Sequence, residues 1–435
     1  MGLIKLLYEY LKTKYRRVFS SKERLEAYQK KKIAKFKKRV LAKSKFYSTY
    51  LERDICDFPL MNKKKMLEHF DAINTTKIRL VDAMAIAMQG ERGENFIQRQ
   101  GMTIGLSSGT SGNKGLFLAS DEERYKWAGI MLAKALPSSL FSTHKIAFFL
   151  RVNSSLYTSL GKSRLVRFEF FPLSKGINSH VERLNQVQPT ILAAPPSMLR
   201  ILAKEKIQGN LYINPIKIFS IAEVLEPLDK KLIEEAFQQK ILHQIYQCTE
   251  GFLGITCSYG TLHLNEEYIH FEKKWVDQES RRFSPIITDF TRTTQPIVRY
   301  YLNDILVEKE SRCPCGNACT AIESIEGRCD DIFYFQSVTH KELVPVFPDY
   351  LRSAIIIGSN AVEEYQVLQE STDRMTIHLV GRRLSKSDHS SILSHLDELF
   401  IRMKIKPPKI QFFNGIDLNQ NEKLRRIKNN ATSGT

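Results

Sequence analysis

"LSSGTSGNKG", residues 106–115, places three glycines, four Ser/Thr hydroxyls and one lysine within ten positions, directly after the apolar approach "MTIG". Such a loop exposes backbone N–H groups and hydroxyls where a chain can come close to a phosphate. The P-loop of NTPases requires Gly-x-x-x-x-Gly-Lys-Ser/Thr, whereas here Lys114 lies between Asn113 and Gly115, so that reading fails on spacing. A flexible surface turn remains open for the loop taken alone.

Working outward, short apolar runs ("KIAFFLRV", "TILAAPP", "IKIFSIAEVL", "ILHQIYQ") alternate with helical stretches at 121–136, 177–187, 196–205 and 227–239. This alternation predicts an α/β fold with a largely parallel sheet flanked by helices. Beyond residue 335 the texture changes. "EYQVLQE", "RMTIHLVG" and "PKIQFFNG" read as strands and "DHSSILSHLDELFIRMKI" as a helix, a small α+β domain. The expected organisation is a basic helical arm over 1–50, a large domain over 51–330 and a small C-terminal domain over 331–435.

The 435 residues carry a formal net charge of +18. Residues 1–45 hold sixteen Lys/Arg against three acids, 16 − 3 = +13, so the excess belongs to the arm. Leu7, Leu11, Tyr15 and Val18 recur there at near-helical spacing, which predicts amphipathic helices. Either that stripe packs on the large domain, or residues 1–45 make peripheral contact with an anionic membrane face. No base-reading motif accompanies the charge, so no specific nucleic-acid partner is expected. No apolar window is long enough to span a bilayer and no signal peptide is visible, so the cytoplasm is the expected compartment.

Four further segments follow the opening loop: "SIAEVL" (220–225), "YQCTEG" (246–251), "QPIVRYYLND" (295–304) and "GRCDD" (327–331). In that order the set resembles the AMP-forming adenylate-forming enzymes, most closely the branch of phenylacetate–CoA ligases and deazaflavin-adenylating synthetases. The resemblance implies a large sheet-and-helix domain with a small mobile C-terminal domain turning about Asp330. It further implies ATP-dependent activation of a small carboxylic acid through an acyl-adenylate, with Mg²⁺ and, as acceptor, coenzyme A. By resemblance, Ser107, Ser108, Gly109, Thr110, Ser111, Gly112 and Lys114 clasp the leaving phosphates, and Thr249 lies near the α-phosphate. Glu250 holds Mg²⁺, Glu223 and Tyr246 flank adenine, Asp304 binds the ribose hydroxyls, and Arg328, at the hinge, joins the residues that bind the nucleotide. Lys423, in "NEKLRRI", is the matching α-phosphate lysine. Tyr301, Asn303 and Glu422 depart from the usual pattern, and "SIAE" lacks the paired glycines of many members. An adenylyltransferase that leaves AMP on its substrate and a non-catalytic nucleotide-binding scaffold are the rival readings.

Five of the seven cysteines fall between residues 248 and 319. Cys257 with His263, and Cys313 with Cys315, make two soft ligand pairs about fifty residues apart, suited to a closed tetrahedral structural Zn²⁺ site. Cys319 is a substitute ligand should His263 be distant, whereas Cys248 and Cys329 are expected to fill packed positions. The aromatic stretches 148–160 and 168–173 either line the acid pocket or are core.

Overall fold

The computed structural model describes residues 2–92, 97–99, 101–106, 115–137, 142–150, 166–173, 175–339, 341–381, 384–416 and 425–431. They form two compact units, Met1–Leu302 with Val307–Ser324, and Asn303–Leu306 with Ile325–Thr435.

The first unit is built on a mixed sheet. Five strands, β4 (His144–Leu150), β5 (Val166–Pro172), β6 (Ile191–Ala194), β7 (Lys217–Ile221) and β8 (His243–Cys248), run parallel in the order β5-β4-β6-β7-β8. At β8 the direction reverses. β9 (Gly251–Thr256) and β10 (Leu262–Leu264) continue antiparallel, and β11 (Ile269–Asp277), β12 (Arg282–Asp289) and β13 (Ile297–Tyr301) pair antiparallel with one another. The sheet is therefore parallel in only one half, a difference from the sequence expectation. The antiparallel strands are joined by short turns and carry no helix between them, so the βα alternation reports only the parallel half.

Helices Ile177–Val187, Pro196–Ile207 and Pro227–Phe237 contribute to one core with Phe149, Phe171, Leu192 and Ile218. Phe149 and Phe171 are fully buried and stacked at 4.8 Å, with His180 edge-on to Phe149 at 5.1 Å. These two aromatics are core. Phe148 and Phe170, paired in register on the opposite sheet face, are half-buried, and residues 151–165 lie outside the described residues.

A three-stranded antiparallel sheet, β1 (Ile97–Arg99), β2 (Met102–Leu106) and β3 (Leu116–Ser120), carries the opening loop. Leu106 pairs with Leu116, so residues 107–115 connect the two ends of a hairpin. Gln295 grips this hairpin: its Oε1 accepts from Leu118 N at 2.8 Å and its Nε2 donates to Leu116 O at 3.2 Å. Glu123 fixes the other end. As N3 of a capping box it accepts from Ser120 N at 2.7 Å, and it also accepts from Thr294 N at 2.9 Å and from the Thr294 hydroxyl.

The arm packs on this unit. α1 (Gly2–Lys14) crosses the helix Asp121–Ala135 closely, because a Cβ on Gly129 would stand 2.5 Å from Leu6 O. α2 (Lys22–Arg39) buries Leu25, Gln29 and Phe36. The stripe read from sequence is not the buried one: Leu6 and Tyr10 face inward, whereas Leu7, Leu11, Tyr15 and Val18 are exposed and α1 ends before Tyr15.

In the second unit, β14 (Val362–Ser371) and β15 (Arg374–Gly381) form an antiparallel pair, flanked in parallel by β17 (Ile427–Asn429) and β16 (Lys409–Asn414) respectively. Helices Pro348–Gly358 and Lys386–Arg402 pack together so tightly that a Cβ on Gly358 would lie 2.7 Å from Ile392 Cα.

Burial disfavours the Glu123 charge, but Arg292 and the hydrogen bonds from Thr294 and Ser120 outweigh it and hold the carboxyl below its ordinary range. A depressed folded-state pKa contributes stability above the ordinary carboxyl pKa, and this is lost as pH falls through the lower folded value. Glu123→Gln should therefore lower stability at neutral pH by on the order of 3 kcal/mol, and the deficit should shrink in strong acid. Denaturant unfolding of both proteins at pH 7 and pH 3 checks this; a deficit that does not shrink counts against the ionised carboxylate as its source.

Candidate functional site

The carboxyl ends of adjacent parallel strands converge on two of the sequence segments. Ile221 pairs with Ile245, so Ala222–Glu223 after β7 lie beside Tyr246–Cys248 at the end of β8. In an open α/β sheet this edge is where ligands bind. Glu223 Oε2 accepts from Ser197 N at 3.3 Å, at the start of the helix that follows β6. Ala222 has φ of 64°, a left-handed conformation that favours glycine, at the segment where the paired glycines are missing.

Thr249 and Glu250, both half-buried, form the two-residue turn between Cys248 and Gly251, which pair across the β8–β9 hairpin. Gly251 permits the close approach of Asp289: a Cβ there would be 3.2 Å from Asp289 Oδ2. Asp289 is buried, which pushes its carboxyl upward even though Thr291 donates to it from its backbone N at 2.7 Å. Tyr246 is 8% exposed. Residues 107–114, the phosphate-loop set from Ser107 to Lys114, lie outside the described residues, as does Lys423.

Asp304 and Arg328 lie in the second unit and come together: Arg328 Nε stands 3.9 Å from Asp304 Oδ1. Asn303, at φ 63°, sets the approach to Asp304, and its carbonyl accepts from Cys329 N at 2.9 Å. Two residues on, buried Asp331 pairs with Arg425. Burial pushes the Asp331 carboxyl up while Arg425 opposes that shift. The strand that follows is also pinned, since Gln366 Nε2 donates to Arg425 O at 3.1 Å and Arg426 pairs with Glu364 at 2.6 Å. The chain is thus anchored to the turn Cys329–Asp331 at Arg425, two positions after Lys423.

The cysteine pairs meet. The ligand atoms of Cys257, His263, Cys313 and Cys315 all lie within 4.8 Å of one another, with Cys257 Sγ 3.6 Å from Cys313 Sγ and Cys315 Sγ 3.3 Å from His263 Nε2. His263 Nδ1 lies 3.0 Å from Cys319 O. A carbonyl only accepts, so Nδ1 carries the proton and the Nε2 lone pair faces the thiols. Burial would disfavour ionising Cys313, but hydrogen bonds from Thr261 and the Cys315 backbone help bring its thiol down to about 6, while burial above all pushes Cys315 up to about 12. Cys319 contributes its carbonyl; its own buried thiol is pushed well up by burial. Cys329 packs against the cluster of Ile305, Ile332 and Phe347, as its small size suggests.

No family model matches the chain. It is similar to protein CapK of Staphylococcus aureus, 30% identical over 211 residues, a match covering 47% of this chain and 45% of CapK. It therefore spans less than half the length of that relative. It is also similar to the indoleacetate-lysine synthetase of Pseudomonas savastanoi, 27% identical over 308 residues, covering 62% of this chain and 76% of that enzyme. Among solved structures, 2-hydroxyisobutyryl-CoA ligase in the postadenylation state, in complex with R3-HIB-AMP, superimposes with a TM-score of 0.64 at 16% identity, covering 94% of this chain and 89% of that one. The chain has the adenylate-forming fold.

Within the adenylate-forming fold, the residues that hold the hairpin went unread in the sequence. Glu123 could have been found, because Ser120-x-x-Glu123 before an amphipathic run is a capping-box signature. Gln295 carries no local signal. Its role appears only when "TTQP" is brought against β3.

Proposed function

We propose that the protein is an ATP-dependent ligase that activates a small carboxylic acid as its acyl-adenylate. The observation that carries this reading is that the segments Ala222–Glu223 and Tyr246–Cys248 leave paired Ile221 and Ile245 side by side at the carboxyl ends of β7 and β8, in a chain of adenylate-forming fold. The acid's carboxylate oxygen attacks the α-phosphorus and pyrophosphate leaves, so the site must neutralise phosphate charge and hold an in-line geometry. Thr249 serves the α-phosphate, and Glu250 offers the oxygen ligand that Mg²⁺ prefers. Asp304, an acceptor only when ionised, binds the ribose hydroxyls. Ser107, Ser108, Gly109, Thr110, Ser111, Gly112 and Lys114 hold the leaving phosphates, and Lys423 meets the charge that develops on the α-phosphate.

In the second step an acceptor nucleophile attacks the acyl carbon and AMP leaves. Coenzyme A is the favoured acceptor, supported by the likeness to a CoA ligase. An amine is the second reading, supported by the likeness to indoleacetate-lysine synthetase. Pyrophosphate release across aryl, hydroxy and fatty acids, alone and with coenzyme A or lysine, separates the two. No acid-dependent release with any of them rejects the enzyme. Lys423→Ala should slow adenylation by roughly 10²–10³ yet still convert a supplied acyl-adenylate, as expected for one lost transition-state donor. Equal loss of both half-reactions would remove Lys423 from this role.

The donor set of Cys257, His263, Cys313 and Cys315 fits a structural Zn²⁺, with no position left for water. The ion would hold β10 to the 313–315 turn. Purified protein should carry one tightly held zinc, and Cys313→Ser should lose it and melt at lower temperature, because metal-binding energy is folding energy. Zinc content unchanged in Cys313→Ser counts against this set.

The outward face of α1 supports peripheral attachment to an anionic membrane. Leu3 and Ile4 are 67% and 74% exposed, Leu7, Tyr8 and Leu11 join them, and the basic face of α2 displays Lys30, Lys31, Lys35 and Lys38. No helix among the described residues is long and apolar enough to cross a membrane. Because Leu6 and Tyr10 are buried, deleting α1 would damage the fold, so Ile4→Glu with Leu7→Glu is the suitable variant. It should lose salt-sensitive sedimentation with phosphatidylserine vesicles while melting as wild type does. Equal binding by both proteins, or by neither, rejects attachment.

A further inference from the structure

We propose that Cys56, His270 and Glu272 form a second cation site, which takes one divalent ion of the zinc class and leaves one coordination position open. Their ligand atoms all lie within 4.8 Å of one another, although the residues come from distant parts of the sequence. Cys56 sits in the short 3-10 turn Ile55–Asp57, and His270 and Glu272 are alternate residues of β11 and so project from the same face of the strand.

Each ligand is held by a partner of its own, which is how metal ligands are oriented. Gln29 Nε2 donates to Glu266 O at 2.8 Å, which fixes the side-chain amide with Oε1 turned to His270 Nδ1 at 3.1 Å. An amide oxygen only accepts, so His270 carries its proton on Nδ1 and keeps the Nε2 lone pair for a ligand. Glu272 is held by Arg299, whose Nη2 stands 2.8 Å from Oε2, and Arg299 is itself anchored by donating from Nη1 to Phe58 O at 2.7 Å. Cys56 is positioned by Asp54, which caps its turn by accepting from Cys56 N at 3.1 Å. The same arrangement of imidazole Nδ1 on an amide-type oxygen recurs at His263 in the four-ligand cluster.

The donor chemistry selects the ion. A thiolate and an imidazole exclude Mg²⁺ and Ca²⁺, which take oxygen ligands, and favour Zn²⁺ or its surrogate Co²⁺. On binding, the thiol releases its proton, so thiolate and carboxylate together neutralise a divalent charge. Cys56 is exposed and His270 and Glu272 are half-buried, so the site is open to solvent, unlike the four-ligand cluster with its buried Cys313. A bound ion would tie the turn before Phe58 to β11, and only the folded chain supplies all three ligands. Binding should therefore raise the melting temperature by mass action.

Full-length protein, dialysed to remove loosely held metal, is titrated with Zn²⁺ against a chromophoric chelator and with Co²⁺ by absorbance. The expected result is one further ion per chain, with a thiolate-to-cobalt charge-transfer band that Cys56→Ser abolishes and an affinity that His270→Ala weakens tenfold or more. Cys313→Ser should retain this uptake, which separates it from the four-ligand cluster. Zn²⁺ should raise the melting temperature of wild type and not of Cys56→Ser. No further ion in wild type, or uptake unchanged in Cys56→Ser and His270→Ala, overturns the proposal. Should His270→Ala fail to fold, the conservative change at exposed Cys56 decides alone.

Discussion

A buried carboxylate ties together the parts on which the site rests. Glu123 caps the helix Asp121–Ala135, receives hydrogen bonds from Ser120 at the end of β3, and receives others from Thr294 more than 170 residues away. A charge removed from water is costly unless every lone pair is used, and here backbone donors, hydroxyls and the nearby Arg292 supply the compensation. The consequence is positional. The hairpin that ends at Leu106 and Leu116 cannot slide against the segment 291–296, because Glu123 and Gln295 grip it from two directions.

The reversal at β8 serves the same purpose. Parallel strands deliver their carboxyl ends to one edge, where Ala222, Glu223 and Tyr246 collect, and the tight turn at Thr249–Glu250 then sends the chain back as β9. A helical crossover at that point would carry the chain away from the edge; a two-residue turn keeps both side chains there. The left-handed Ala222 and the close approach of Asp289 to Gly251 lie at this edge as well. Backbone strain and close packing of this kind are found where geometry is constrained for function.

Histidine tautomers organise both ligand clusters. His263 and His270 each give their Nδ1 proton to an oxygen that can only accept, one a backbone carbonyl and the other a side-chain amide itself fixed by hydrogen bonding. Both therefore present Nε2 as an acceptor. In the second unit an ion pair has the comparable role: Asp331 and Arg425 join the turn Cys329–Asp331 to the chain that enters the strand Ile427–Asn429.

Much of this was legible in the sequence. The βα alternation gave the parallel half of the sheet, and the Cys257/His263/Cys313/Cys315 set was readable because each ligand pair is close in sequence. The antiparallel half was not legible, since its strands carry no intervening helices. Nor was the buried face of α1: Leu6, Leu7, Tyr10 and Leu11 are all apolar, and only the helix Asp121–Ala135 selects Leu6 and Tyr10 for the interface. Phe149 and Phe171 lie in stretches that the sequence left as pocket or core, and their burial and stacking decided for core. Cys56, with its partners more than 200 residues away, carries no local pattern at all. Sequence alone determined what repeats or lies within a few residues, because periodicity and short spacings are properties of the chain. Tertiary structure decided which face is covered and which distant groups meet, because those depend on the surface that folding brings opposite.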